Sequence, residues 1–375
     1  MRVEGGWLRH PGTQRLCLAL NEAGHQALFV GGCVRNALMD VAVNDVDIAT
    51  DALPETVSIL AENAGFKVVP TGIDHGTVTV IAQGVPHEVT TFRQDVETDG
   101  RRAVVRFSSD VATDAARRDF TMNALYAQPD GEVVDPLGGL PDLQARRVRF
   151  VGDANARIAE DYLRILRFFR FFAWYGDPEN GMDAEGLAAC AANSAGIETL
   201  SRERVGAELC KLLSAPDPSI AVASMAQAGV LAVALPGAES RVLPVLVHFG
   251  VKSWIARLAV MGGAVETLRL SRPDLAKFML IRTEIGNLSG PAELGYRYGF
   301  EVSEAVMLGR AAMFEAAPPL NWQAQAQLGS RAQFPVSATD LMPSHQGKAL
   351  GDKLRALETR WIASNFTLTK ADLLE

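Results

Sequence analysis

Residues 27–51, ALFVGGCVRNALMDVAVNDVDIATD, decide the reading of the chain. The apolar run from Ala27 to Val30 predicts a short strand that ends at Gly31-Gly32. Two glycines there allow a tight turn and a close approach by a ligand. Cys33 to Met39 predicts a short helix with Arg35 in its first turn, and a helix starting after such a turn suits a phosphate. A second strand is expected over Asp45-Val46-Asp47-Ile48-Ala49. Residues two apart on a strand share a face, so Asp45 and Asp47 project together while Val46 and Ile48 enter the core. Carboxylates held side by side repel each other unless a cation joins them. Oxygen-only ligands favour Mg²⁺, which is commonly held by one or two carboxylates plus substrate phosphates. In isolation DVD is a solvated strand end and Gly-Gly a plain turn. Twelve residues separate Gly32 from Asp45, with a strand on either side, and that arrangement points to metal-assisted phosphoryl or nucleotidyl transfer.

Composition sets the limits. A chain of 375 residues has room for two or three domains. It is 48% hydrophobic and 21% charged, as ordinary globular proteins are, which argues against global disorder. A net charge of −8 disfavours non-specific nucleic-acid binding but leaves room for a local basic groove. Cys17, Cys33, Cys190 and Cys210 form no CxxC, which disfavours a zinc site and a disulfide framework and fits a reducing cytoplasm. The first residues, Met1 to Gly6, do not read as a signal peptide. The longest apolar run, 220–236, is interrupted by Ser224 and Gln227 and is too short to span a bilayer, so no membrane partner is expected.

Around the opening stretch, residues 7–25 predict a helix carrying Leu16, Leu18, Leu20 and Ala23. A capped helix with an early proline is expected over 54–64. Strands are expected over 67–70, 77–81 and 86–93. Glu88 lies near the middle of the last one. It is either a third carboxylate facing the DxD pair or an edge-strand glutamate in solvent. Residues 94–112 are polar and turn-rich and predict a mobile loop, with Arg101, Arg102 and Arg106 available to phosphates or simply solvated. Residues 114–126 predict a helix with Phe120, Ala124 and Leu125 inward and the polar cluster Arg117, Arg118, Asp119 and Asn123 outward. A stiff glycine-hinged connector follows over 133–143, then a short strand over 147–150, and the first domain boundary is placed near 150.

Residues 156–175, ARIAEDYLRILRFFRFFAWY, predict one buried helix. Asp161, Arg164, Arg167 and Arg170 recur every three residues on its other face, which makes Asp161 and Arg164 neighbours. The plain account is a surface ion pair contributing about 0.2–0.5 kcal/mol. The sharper one is that an Asp acceptor and an Arg fork together read the Watson–Crick edge of a base. Helices are expected next over 201–213 and 218–229, and in the tail over 241–249, 252–261, 271–284, 291–298, 301–315 and 346–363. The tail carries no motif with readable chemistry.

The stretch Gly31-Gly32-Cys33-Val34-Arg35 with Asp45 and Asp47 resembles the first motif of the tRNA nucleotidyltransferase/poly(A) polymerase family, class II CCA-adding enzymes included, within the polymerase-beta-like superfamily. Asn36 stands where that family usually has Asp. Arg117-Arg118-Asp119-Phe120-Thr121 with Asn123, the run from Asp135 to Leu143, and Glu160-Asp161 with Arg164, Arg167 and Arg170 follow in the family's order. The resemblance covers roughly residues 25–215. It implies an α+β chain: a nucleotidyltransferase head with a mixed sheet (1–150), a helical neck (151–215), and a helical body and tail (216–375) that holds tRNA. It implies attack of a tRNA 3′-hydroxyl on the α-phosphate of CTP or ATP, with Mg²⁺ on Asp45 and Asp47 and Glu88 as a third carboxylate. Gly31, Gly32, Arg35 and Arg118 would hold the triphosphate, and Asp119 and Asn123 would sit near the ribose. Asp161 and Arg164 would choose the base, and Arg167 and Arg170 would help hold phosphates. A poly(A) polymerase, an enzyme adding only CC or only A, and a non-catalytic RNA-binding protein on the same scaffold are the alternatives.

Overall fold

The computed structural model describes residues 1–99, 102–342 and 344–375, with no account of the side chains at 74, 95–99 and 102–104. The chain forms two compact units. One comprises 1–212 and 220–234; the other comprises 213–219 and 235–375. Among the described residues no helix is long and apolar enough to cross a membrane.

The first unit opens with α1 (Gly6–Arg9) and α2 (Pro11–Glu22), so the helix expected over 7–25 is two, broken at extended His10 before Pro11. Of its expected core, Leu16 and Leu20 are fully buried while Leu18 faces out. Next come β1 (Ala27–Val30), α3 (Gly32–Leu38), β2 (Val46–Thr50) and α4 (Pro54–Asn63). Then β3 (Lys67–Gly72), β4 (Thr77–Ala82) and β5 (Val85–Thr91) complete one side of a seven-stranded sheet. After β6 (Arg93–Asp99), β7 (Arg102–Phe107) and α5 (Val111–Ala116), the pairs β8 (Tyr126–Ala127) and β9 (Val133–Val134) close the other side. The order is β3-β4-β5-β2-β1-β8-β9, and β2 and β5 are parallel while the remaining neighbours are antiparallel. The sheet is therefore mixed, with β5 and β2 at its middle.

Alternation along these two strands sorts the side chains. Val46 and Ile48 of β2 and His87 of β5 are buried on one face, where His87 Nε2 meets Thr13 Oγ1 of α2 at 2.8 Å. Ala49 faces the other way, into a core with Leu28, Val30, Ala115, Ala124 and Tyr126. Asp47, two residues before Ala49, belongs to that second face.

Four further expected elements differ. The segment expected to be a loop contains the antiparallel hairpin β6–β7, consistent with the strand formers Val104, Val105 and Phe107. Arg101 lies outside the described residues, as does the side chain of Arg102. The helix expected over 114–126 stops at Ala116. Asp119 Oδ1 accepts the N–H of Phe120 at 2.9 Å, so a side chain competes with the helical ladder. Phe120 then runs extended and bridges Phe150. That isolated bridge is what remains of the strand expected over 147–150. The helix expected over 156–175 is α7 (Ala154–Glu160) and α8 (Leu163–Tyr175), after α6 (Leu140–Gln144). Asp161 is extended between them, with φ −156° and ψ 104°. Its Oδ1 accepts the N–H of Leu163 at 3.1 Å, which stabilises the new helix start.

The unit ends with α9 (Ala184–Ala192), α10 (Arg202–Leu213), α11 (Ser219–Gln227) and α12 (Val230–Ala234). The second unit is helical: α13 (Leu243–His248), α14 (Trp254–Met261), α15 (Arg272–Gly286), α16 (Pro291–Tyr298), α17 (Phe300–Met313), α18 (Trp322–Arg331), α19 (Ala338–Leu341), α20 (Gly347–Ala363) and α21 (Lys370–Leu374). In α16 and α18, Gly295 and Gly329 allow a close crossing. A Cβ on Gly329 would lie 1.9 Å from the Ala292 carbonyl oxygen. Fully buried Arg257 donates to the carbonyls of Val251, Leu213, Ala215 and Pro216, at 2.6–3.1 Å.

Candidate active site

The parallel pairing of β2 with β5 sets Asp47 beside Glu88 in register. Neighbours in a parallel pair share a face, so the two carboxylates stand together. Glu88 is exposed but does not lie at a sheet edge, because β5 has partners on both sides. Asp45 precedes β2 rather than lying in it, and is exposed. Burial pushes the Asp47 carboxyl up to about 6; repulsion from Glu88 and Asp45 adds to this, and Arg118 opposes it. Among the described residues no three His, Cys, Asp or Glu side chains form a ready metal cage. An under-neutralised, oxygen-only group fits a hard cation whose remaining ligands come from water and phosphate.

Gly31, at φ 69°, makes the turn after β1. Two guanidinium groups flank the glycines. A Cβ on Gly31 would lie 3.5 Å from Arg118 Nη1, and one on Gly32 would lie 3.9 Å from Arg35 Nη2. Arg118 is fixed from behind. Its Nη2 donates to Asp114 at 2.9 Å, and its Nε donates to the Tyr126 hydroxyl at 3.0 Å. Tyr126 in turn donates to Asp114 at 2.7 Å. Arg117 also reaches Asp114, at 2.8 Å. Burial alone would raise Asp114, but Arg118 and Arg117 outweigh it and hold the carboxyl below its usual range.

The polar face of α8 is wired residue by residue. Asp161 does not pair with Arg164, because the helix break turns them apart. Asp161 Oδ2 meets Arg204 of α10 at 2.6 Å. Arg164 pairs with Glu160 and donates to the Arg117 carbonyl at 3.2 Å. Arg167 Nη2 binds Asp119 at 2.5 Å, and Arg170 Nε binds Glu208 at 2.5 Å. Asp119 also accepts from Asn123 Nδ2 at 2.9 Å, and the Asn123 oxygen accepts from Arg35. Phe120, Phe150, Phe168 and Phe171 lock α8 against this segment, with ring centroids 5.0–6.3 Å apart.

Sequence reasoning missed Asp114, Glu160, Tyr175, Arg204 and Glu208 as partners. Asp114 and Glu160 each lie four residues before an arginine they bind, a signal that was present. Arg204 lies 43 residues from Asp161, and no local pattern announces that pair.

Comparison with known proteins follows from this geometry. A model of the poly A polymerase head domain matches residues 27–149, and one of the probable RNA and SrmB-binding site of polymerase A matches 181–241. The mitochondrial CCA tRNA nucleotidyltransferase 1 of Mus musculus is 42% identical over 204 residues, 54% of this chain and 47% of that one. A CCA-adding enzyme of Bacillus cytotoxicus is 43% identical over 201 residues, 52% of this chain and 48% of that one. The chain thus matches about half the length of these relatives. The crystal structure of the Bacillus stearothermophilus CCA-adding enzyme in complex with CTP superposes with a TM-score of 0.76 at 26% identity, over 96% of this chain and 94% of that one. A Thermotoga maritima CCA-adding enzyme complexed with tRNA shares the fold, with a TM-score of 0.70 at 16% identity. Residues 27–149 thus match the poly A polymerase head domain, and the fold is that of CCA-adding enzymes, a group whose chemistry is generally metal-dependent.

Proposed function

We propose that this chain adds C, C and A to the 3′ end of tRNA, taking CTP and ATP as substrates. The observation that carries this is Asp47 beside Glu88, under the charge of Arg118, which with Arg35 flanks the Gly31-Gly32 turn. Asp45 and Asp47 would hold Mg²⁺. Mg²⁺ bound there would supply acidification of the 3′-hydroxyl and charge neutralisation at the leaving group. The chain's own residues do the rest. Arg118, braced by Asp114, orients the triphosphate at the glycine turn. Glu88, in register with Asp47, would take the hydroxyl proton as the 3′-oxygen bonds to the α-phosphorus. The bond from that phosphorus to the bridging oxygen then breaks and pyrophosphate leaves. Asp119 and Asn123, tied to Arg167 and Arg35, place acceptors for the ribose. Asp161 and Arg164 read the base edge, each held by its own partner rather than by the other. Arg167 and Arg170 line the same face. The helical unit would hold the acceptor arm, and the setting would be the cytoplasm.

Incubation with tRNA lacking its 3′ end, and each NTP singly and mixed, tests this. Addition that stops after C, C and A is expected, and it should vanish in Asp45→Ala and Asp47→Ala. Open-ended A tracts would make the chain a poly(A) polymerase, and addition of CC or A alone would make it a partial enzyme. No addition with any NTP would leave a non-catalytic RNA-binding protein.

A further inference from the structure

Arg35 differs from the other guanidinium groups of the site in what it is paired with. Arg118 meets Asp114, Arg164 meets Glu160, Arg167 meets Asp119 and Arg170 meets Glu208. Arg35 is 7% exposed, and all its hydrogen-bond partners are neutral. Its Nε and Nη2 donate to Asn36 Oδ1 at 3.2 and 2.9 Å, Nη1 donates to Asn123 Oδ1, and Nη2 also donates to the Tyr175 hydroxyl at 2.9 Å. The rings of Tyr175 and Phe171 cover it at 4.0 and 5.2 Å. Asp119, the carboxylate that acts on Arg35, is already engaged by Arg167, Asn123 and the Phe120 N–H.

Charge can be counted around one ring. Arg35, Arg167 and Arg170 gather about Phe171 at 5.2, 5.3 and 4.5 Å. Asp119 and Glu208 are the carboxylates bound to this trio. One positive charge is left over, and it is the buried one. A buried charge without a counter-ion is costly unless something else neutralises it. Hydrogen bonds to amide oxygens and aromatic faces offset part of that cost. The remainder is available to an incoming anion, and Nη2 lies directly beside Gly32.

We propose that Asn36 is a positioning residue that keeps Arg35 uncompensated, so that the polyphosphate chain of the nucleotide supplies the missing negative charge. This rests on the nucleotidyl-transfer reading above. The amide of Asn36 is shaped like a carboxylate. Its single Oδ1 accepts from both Nε and Nη2 of the guanidinium, and the amide is itself fixed by donating to the Ala42 carbonyl at 3.0 Å. It therefore sets the position of Arg35 without cancelling its charge.

The Asn36→Asp variant adds the charge and gives up the donation to the Ala42 carbonyl, a loss that Asn36→Ala shares. Thermal unfolding of the full chain is followed with and without inorganic triphosphate, and KM and kcat for CTP are measured with tRNA. Asn36→Asp is expected to raise the melting temperature of the ligand-free chain and to cut the triphosphate-induced shift to less than half. KM for CTP should rise about tenfold with kcat changed less than about threefold, the scale of one added charge near a phosphate in a medium of intermediate dielectric. Asn36→Ala should lower the ligand-free melting temperature yet keep most of the shift, because Arg35 stays charged. An Asn36→Asp chain that keeps the full shift and the wild-type KM overturns the inference alone. So does one that fails to fold, since the added carboxylate should stabilise. A wild-type chain that neither triphosphate nor CTP stabilises overturns the inference and the nucleotidyl-transfer reading together.

Discussion

Asp47 lies under two opposing demands. The proposed cation site would need it as an anion, while burial and its acidic neighbours favour the protonated form, so its pKa sits near 6 rather than near 4. The folded state therefore binds this proton more tightly than the unfolded chain does. The penalty is absent below the unfolded pKa and fully present above the folded one, so stability from this group falls as pH rises from about 4 to 6. With chelator present, Asp47→Asn should stabilise the chain by about 1–2 kcal/mol at pH 7.5, after discounting for partial exposure. It should make little difference near pH 4 and should abolish nucleotide addition. Urea midpoints at the two pH values check this, and a destabilised or pH-independent variant would contradict it. Asp114 is the reverse case, because it is almost fully buried and strongly satisfied. Asp114→Ala leaves Arg117, Arg118 and the Tyr126 hydroxyl without their acceptor and should destabilise by about 3–5 kcal/mol. Asp114→Asn, which keeps an acceptor, should lose less in denaturant unfolding while raising KM for CTP through a loosened Arg118.

At the scale of elements, legibility followed the kind of information involved. The strand–turn–helix–strand unit was readable because its pattern is local: an apolar run, two glycines, then alternation. Most tail helices were readable from their period for the same reason, although α18, whose buried residues are Trp322, Ala326 and Gly329, was missed. Two of the elements that failed did so for local reasons, extended His10 before Pro11 and Asp119 capping Phe120, whereas in the 156–175 segment a side chain far along the chain also takes part. Asp161 leaves the helix because it can cap α8 and pair with Arg204, and periodicity holds no record of either. The neighbour relation of Asp47 and Glu88 was expected only as one of two alternatives, since β3 and β4 lie between their strands in sequence but not in the sheet. The crossing of α16 and α18 shows the same dependence on context for glycine. Gly329→Ala would drive a methyl into the Ala292 carbonyl and should destabilise the helical unit by about 2–3 kcal/mol. Gly351→Ala, within α20 and with nothing in the way, should stabilise by up to about 1 kcal/mol. Calorimetry of both variants decides, and equal effects would refute the packing argument.

At the scale of the whole molecule, the family, the mixed-sheet head and the helical remainder were all expected from four ordered motifs. The interleaving of the two units was not. The chain leaves the first unit after residue 212, returns at 220 and leaves again after 234. Residues 213–219 are held in the second unit by Arg257, whose charge is spent on four backbone carbonyls. Arg257→Met preserves much of the volume but leaves those carbonyls buried without a donor. It should destabilise by roughly 3 kcal/mol or more, read as a lowered unfolding midpoint with an unaltered denaturant dependence. A loss within 0.5 kcal/mol, as for an ordinary surface change, would show that the carbonyls find other partners.

That clamp also puts a timetable into synthesis. Pro216 emerges from the ribosome 41 residues ahead of Arg257. At about 5–20 residues per second the segment waits some 2–8 s for its donor. A nascent chain halted in that window has a head with nearly all its residues, but its exit strand is still untethered, and the second unit closes on that strand only after the arginine has been made.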